Sequence, residues 1–408
     1  MEINAIPRRL AFTAGGQQLI NWGISFYMPG TFAGAIAADK GWSSPQIYLG
    51  LTLAMLIMAA VSPLVARLLA RFGGRLVVTS GTLLIAASCA MMAWRPSLAG
   101  WYGAWLLTGI GMRLSLYDAL FAAVVNLYGQ QARKTISHIT LAGGLASALF
   151  WPLGEALLTI MPWQNALRIY ALFGLLSAWL SYQLPRQRLG SSTKAKAPTA
   201  DGDRRNGIRY ALFIALITFI SNGTSTHLPE FISHFGLPVA VGMLWGFGQT
   251  GARLGEVLAG PRVTPLTLTR FTALAMPLCF LLGVSSTAYA GCAAGFVLGY
   301  GAINGLVTIV KATLPLALFS AESYASRTGL LLIPGQLMAA AAPFTYAWLN
   351  HRLGIVGGMW ISTGLTLIVA GLALAMVREA GKAQDERNVE YPAAAVDQPI
   401  AKNNLAEE

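Results

Sequence analysis

Twelve apolar runs of about 20 residues follow one another along the chain, and they decide what it can fold into. They lie at 11–36, 46–69, 76–94, 102–127, 137–160, 166–184, 208–233, 238–259, 269–286, 290–314, 328–349 and 355–377. One helix of that length crosses the hydrocarbon of a bilayer. Together they take up roughly two thirds of the 408 residues, leaving little for a soluble domain. Hydrophobic residues reach 55% and charged residues only 11%, which excludes an ordinary soluble or disordered chain. The expected fold class is an all-α membrane protein with twelve transmembrane helices. Arg8 and Arg9 precede a run too long for a cleavable leader, so none is expected. The three cysteines (Cys89, Cys279 and Cys292) sit singly in apolar runs, without zinc or disulfide spacing.

A formal net charge of +12 would suit nucleic acid, but the cations are placed otherwise. With the N-terminus in the cytoplasm, 21 of the 28 Lys and Arg fall on that side and four (Lys40, Arg95, Arg168 and Arg352) outside. Arg113, Arg253 and Lys311 remain within spans. Such a bias follows the positive-inside rule and predicts both termini in the cytoplasm of a bacterial inner membrane. No nucleic-acid partner is expected.

The polar, basic stretch 185–207 reads as a cytoplasmic linker between an N-terminal half, 1–184, and a C-terminal half, 208–377. A cytoplasmic tail follows at 378–408. The halves repeat each other. Gly23, Ser25 and Pro29 in span one recur as Gly223, Ser225 and Pro229 in span seven. Gly109 and Gly111 match Gly299 and Gly301; Gly144 and Pro152 match Gly335 and Pro343. In this order they predict a duplicated six-helix unit.

Six plus six spans, a central basic loop and parallel repeats resemble the major facilitator superfamily along the whole chain. The loop after span two, Ala66-Arg67-Leu68-Leu69-Ala70-Arg71-Phe72-Gly73-Gly74-Arg75, matches a family motif at Arg71, Gly73 and Arg75. The resemblance implies a gating role for those three. Ala66 and Ala70 depart from the family's Gly and Asp, and that Asp helps latch the cytoplasmic gate. Gly109-Ile110-Gly111 is similar to a second motif, with Trp105 where the family has Arg, and Arg133-Lys134 is similar to a basic loop pair. Gln249 and Arg253 are four apart in span eight, resembling the Asp and Arg of monocarboxylate transporters. Gln249 replaces the Asp, and span one lacks the lysine of that branch.

A charge within a span costs about 2.5–3.5 kcal/mol on insertion scales, so each needs a reason. Arg113 lies ~2 Å and Asp118 ~5 Å from the middle of span four. On a continuous helix Tyr117 shares the face of Arg113, while Asp118 points about 140° away. Arg113 is expected to bind an anion with Asp118 as counter-charge or proton carrier; a structural ion pair is the other reading. Arg253 and Glu256 are one turn apart in span eight, as ligand and proton carrier or as a self-satisfying pair. Glu155, ~10 Å to the outer side in span five, is a third proton-carrier candidate or reaches the membrane interface. Lys311, ~13 Å from the middle of span ten, is placed to snorkel to the surface. His227 and Glu230 flank Pro229 as a pH-sensing mouth or as exposed end residues, and His138 reads as a solvated end residue. Gln17, Gln18, Asn21 and Asn222 line a cavity or bond helix to helix. Trp22, Tyr27 and Tyr300 form cavity walls or interface belts.

The substrate set is therefore Arg113, Arg253, Asn21, Gln17, Tyr117, Gln249 and Asn222; the proton set is Asp118, Glu155 and Glu256. The function expected is secondary active transport of a small organic anion or zwitterion by alternating access, coupled to protons as symport or antiport. Drug or metabolite efflux, uptake of a metal chelate, and a non-transporting sensor are the alternatives. No GxxxxGK[ST], HExxH or GxSxG occurs, so neither ATP drive within the chain nor an embedded enzyme is expected. The expected partners are the solute, protons and the lipid bilayer, with no cofactor, no metal and a monomeric state.

Overall fold

The computed structural model describes residues 8–94, 97–128, 132–185, 204–259, 263–318, 331 and 333–390. Among them the chain is helical, with no strand. The helices are α1 (Arg8–Ile24), α2 (Met28–Lys40), α3 (Ser44–Ala93), α4 (Leu98–Ser115), α5 (Tyr117–Tyr128), α6 (Ala132–Gly144) and α7 (Ala146–Ile160). They continue as α8 (Trp163–Tyr182), α9 (Arg204–His234), α10 (Met243–Ala259), α11 (Pro265–Val284), α12 (Gly291–Leu318) and α13 (Ile333–Glu390). Most of the linker 185–207 and of the tail 378–408 lies outside the described residues, as do the side chains of Arg133 and Lys134. What is described of the linker's end and the tail's start is helical, in α9 and α13.

Two helices are far longer than a bilayer is thick. A straight α3 would run ~75 Å and α13 ~87 Å, against ~30 Å of hydrocarbon. Both double back at a glycine with left-handed backbone: Gly73 (φ 80°, ψ 159°) and Gly354 (φ 73°, ψ 166°). Any side chain is strained at such angles. Across the second turn, Tyr346 and Ser362 hydroxyls bond at 2.8 Å. On a straight helix they would stand ~24 Å apart.

Eight stretches among the described residues are long and apolar enough to cross a membrane. The other expected spans differ for local reasons. Span one breaks between α1 and α2, where Pro29 lacks the N–H to continue the ladder and Tyr27 N–H reaches back to Trp22. α10 has 17 residues because a 3₁₀ turn, Val239–Gly242, precedes it. Gln164, Asn165 and Arg168 dilute the start of α8. Spans eleven and twelve form the single stretch Ile333–Ala380.

Apolar burial concentrates in two large clusters. One draws on Ile20 to Tyr170 plus Ala347, the other on Tyr210 to Met376 plus Trp151. Where helices approach most closely, glycine removes the obstacle. A Cβ on Gly109 would come 2.4 Å from the Ala54 carbonyl oxygen, and one on Gly301 2.5 Å from that of Trp245. This contact pairs Gly109 with Gly301, two residues from the register expected in sequence. Gly23 and Gly223 likewise seat an aromatic ring each, Phe150 and Tyr346. Large apolar side chains such as Leu172, Trp179, Leu278 and Leu367 face outward, as a lipid-facing belt requires.

Backbone carbonyls cannot yield to an added methyl. Gly109→Ala and Gly301→Ala should each lose about 1–3 kcal/mol of stability. Gly364, exposed with open space at its Cβ, should gain about 0.5–1 kcal/mol as alanine. Thermal unfolding of the three variants in one detergent checks both signs.

Candidate substrate cavity at a broken helix

The site begins with a break in the fourth span. Helix α4 ends at Ser115, because Leu116 adopts an extended conformation (φ −79°, ψ −173°) before α5 starts at Tyr117. Breaking the ladder frees carbonyl groups, which have no water to turn to inside a membrane. Side-chain amides from α1 take over: Gln17 Nε2 donates to the Ser115 carbonyl at 2.9 Å and Gln18 Nε2 at 2.8 Å. Asn21 Nδ2 donates to Thr82 Oγ1 and Ser115 Oγ, while its Oδ1 accepts from Ser177 at 2.6 Å. Gln17, Gln18 and Asn21 are all buried.

The break also re-aims the charges. A continuous helix would hold Asp118 far from Arg113; here Arg113 Nη1 and Asp118 Oδ2 form an ion pair. Each charge sits on its favoured helix end, with Arg113 in the last turn of α4 and Asp118 in the first turn of α5. The pair is open on the Asp118 side: Asp118 is 67% exposed, whereas Arg113 is 20% exposed and its Nε is buried without a hydrogen-bond partner.

Both charges line a cavity of about 250 Å³. Trp22 and Phe26 from α1 and its end, Met55 and Met58 from α3, and Met112, Leu116 and Tyr117 supply one wall. Thr218 and Asn222 from α9 and Gln336 and Ala339 from α13 supply the other. Of the sequence-derived set, Arg113, Tyr117, Asp118 and Asn222 thus meet at one cavity. Gln17 and Asn21 stand behind it as a scaffold. Gln336, Thr218 and the three methionines were not singled out in the sequence. Methionine there reads as core, and Gln336 carried the same amide signal as Asn222.

Arg253 does not line this cavity. Its guanidinium bonds to the Thr140 carbonyl at 3.4 Å and Thr308 Oγ1 at 3.2 Å, joining α10 to α6 and α12. Tyr117 Oη reaches the same carbonyl at 3.5 Å, so the cavity wall and Arg253 share one acceptor. The buried Gln249 lies one turn from Arg253, and both face Gly144. The ion pairs among the described residues do not include Arg253 with Glu256, nor Glu155 with any base. Both acids are half-buried and away from the cavity. The Lys311 carbonyl accepts from Tyr210 at 3.1 Å.

Of the motif after span two, Gly73 is the turn of α3 itself and Arg71 is exposed. Arg75 lies over the ring of Tyr182 at 3.6 Å. His138 is exposed, whereas His227 is buried. No group of three or more His, Cys, Asp or Glu able to hold a metal occurs among the described residues.

The sequence profile of the Major Facilitator Superfamily matches residues 19–343. No curated relative matches the sequence. Among solved structures, a mutant of the nucleoside transporter NupG is 12% identical, with a TM-score of 0.72 over 90% of this chain and 99% of that one. NupG itself gives 14% identity and a TM-score of 0.69, over 90% and 98% of the two chains. A bacterial homologue of the human lysosomal transporter Spinster, inward-facing and unoccupied, gives 13% and 0.68, over 93% and 99%. At such identities the likeness is one of fold.

The two asparagines should respond differently to leucine. Asn21→Leu removes three buried hydrogen bonds, to the Ser115, Thr82 and Ser177 hydroxyls, and should cost about 1–3 kcal/mol of stability. Asn222→Leu, on the cavity wall, should leave the melting temperature within about 2 °C while changing what binds. Thermal unfolding with and without a bound solute separates them.

Proposed function

The chain belongs to the Major Facilitator Superfamily, and from that membership we propose that it is a proton-coupled secondary transporter of a small zwitterionic or anionic organic solute. Its several membrane-crossing helices make it a multi-pass membrane protein. The observation that carries the substrate reading is the open Arg113–Asp118 pair in a cavity walled by α4 and α5 on one side and α9 and α13 on the other. Arg113 offers the N–H groups of its terminal nitrogens that Asp118 leaves free to a carboxylate, and Asp118 offers a counter-charge to an ammonium. Trp22, Phe26, Tyr117 and the methionines receive an apolar body; Asn222, Thr218 and Gln336 receive polar substituents.

In this reading the chain has twelve spans in two six-helix halves, 1–184 and 208–377, with both termini cytoplasmic in a bacterial inner membrane, and works as a monomer. Support comes from the two apolar clusters and from the matched contacts of Gly109 with Gly301 and Gly23 with Gly223. The halves rock about the cavity and expose it to each side in turn. Arg253 acts at the seam, through Thr140 and Thr308, and Asp118 carries the proton.

A thermal-shift screen against zwitterions and organic acids identifies a ligand, and uptake into proteoliposomes under a pH gradient then tests the reading. Arg113→Lys keeps the charge but loses the planar fork, and should weaken binding by about 1–3 kcal/mol. Asp118→Asn should abolish accumulation against a gradient and leave counter-exchange partly intact. Wild-type accumulation by Asp118→Asn would remove that residue from coupling. A reporter active only in the periplasm and fused after Glu408 should stay silent; activity would sink the twelve-span topology.

A further inference from the structure

The far end of α9 holds a second buried polar cluster, which the substrate cavity does not use. His227 is 3% exposed, and Glu230 stands one turn further along. Nδ1 of His227 lies 3.0 Å from Glu230 Oε2, and Nε2 lies 2.9 Å from the backbone oxygen of Pro343. A carbonyl oxygen only accepts, so Nε2 must carry a hydrogen. A neutral imidazole then has a bare lone pair at Nδ1, and an ionised carboxylate has no hydrogen to offer it. The 3.0 Å contact therefore requires one further proton between Nδ1 and Oε2. With it the pair is neutral overall, as imidazolium with carboxylate or as imidazole with carboxylic acid. Without it, a lone pair faces a carboxylate.

Access and cover lie on different sides of the pair. The Glu230 side chain is 38% exposed. It opens into a cavity of about 280 Å³ that Gly30 and Gly34 of α2, Tyr48 of α3 and Pro229 and Ser233 of α9 help to line. The His227 ring is covered by Tyr48, with centroids 4.0 Å apart, and flanked by Tyr346 at 6.3 Å. Tyr48 belongs to the apolar cluster opposite to that of α9. Close by, Phe344 N–H donates to Thr52 Oγ1 of α3 at 3.3 Å. The seam between α3 and the pair α9 and α13 thus closes directly over His227. The other groups around the pair are Tyr48 on α3, Tyr346 and Asn350 on α13, and His234 one turn beyond Glu230 on α9.

We propose that His227 and Glu230 form a proton-binding site, loaded from the cavity beside Glu230, whose proton holds the seam between α3 and α9 closed. The proton arrives from water on Glu230 and passes along the hydrogen bond to Nδ1; no covalent bond other than N–H or O–H changes. While it is bound, the pair is neutral and Tyr48 lies over an imidazole that carries or shares the charge. When it leaves, Nδ1 and the carboxylate repel, Glu230 turns to the cavity, and the contact with Tyr48 weakens. The site deepens the proton-coupled reading above and rests on it only for the direction in which protons move. On the topology proposed there, the cavity faces outside.

Nitrogen-15 NMR of histidine-labelled full-length protein in lipid nanodiscs reads the proton directly. His227→Gln assigns one of the four histidines. At pH 6.5 the wild-type His227 should show a bound or shared proton at Nδ1, and Glu230→Gln should return the ring to a neutral Nε2–H form. A bare Nδ1 in the wild type at pH 6.5, or a Glu230→Gln spectrum equal to the wild type, overturns the site.

The seam is read at Gly34→Cys, a cavity position with open space at its Cβ, after Cys279→Ala and Cys292→Ala. Labelling by an impermeant maleimide, normalised to a free thiol, should rise several-fold from pH 6 to pH 8. It should stay flat when Glu230→Gln is added. An equal rise in both backgrounds overturns the seam coupling. Neither measurement uses substrate or a gradient, so a failure of proton-driven uptake would leave both results standing.

Discussion

Everything at the cavity depends on two hydrogen bonds that replace one missing turn of helix. Where α4 stops, the Ser115 carbonyl would stand bare in a medium without water, at a cost of several kcal/mol. Gln17 and Gln18 of α1 supply the missing donors. Their amides let the fourth span break in mid-membrane, and the break lets Arg113 and Asp118 meet on the cavity side. The same amides fix α1 against α4, while Asn21 ties α1 to Thr82 of α3 and Ser177 of α8. One polar knot thus sets both the packing of this helix cluster and the electrostatics of its site.

The overall class was legible because lipid enforces it: long apolar runs and one-sided cations leave few alternatives. Individual residues were legible where the membrane penalises them, so Arg113, Asp118, Tyr117 and Asn222 stood out and do share a cavity. Helix breaks were not legible. Leu116 carries no proline or glycine signal, and the periodicity of span four runs through it unchanged. Continuous-helix geometry therefore turned Asp118 away from Arg113. Pro29 falls at the break in span one, yet Pro229 sits within an uninterrupted α9, so proline alone does not decide. Burial excludes the exposed-end reading of His227, and burial depends on Tyr48, about 180 residues away in sequence.

Glycine does different work in two kinds of place. Gly73 and Gly354 turn a rod that would otherwise overrun the bilayer, a backbone demand. Gly109 and Gly301 allow a helix to lie on a neighbour's carbonyls, a packing demand. Both matter more here than in water, since apolar surface alone does not drive helices together in lipid. The register of the repeat is consequently better read from what each glycine touches than from its spacing to the next.

Three ion pairs occur among the described residues. Arg113 is matched by Asp118, Arg209 by Glu379 at 2.6 Å, and His227 by Glu230. The Arg113–Asp118 pair, within a span, is close to neutral, which is what insertion into lipid favours. On the proposed reading, that neutrality limits a charged cargo. A lone anion entering the cavity would have to pull Arg113 from Asp118 and leave the carboxylate uncompensated, unless a proton came with it. A zwitterion splits the pair without changing the total charge, its carboxylate on Arg113 and its ammonium on Asp118. An anion plus one proton reaches the same balance. On the proposed reading, the electrostatics of the cavity therefore tie two properties together: a charged cargo on this pair is either a zwitterion or an anion moved with a proton.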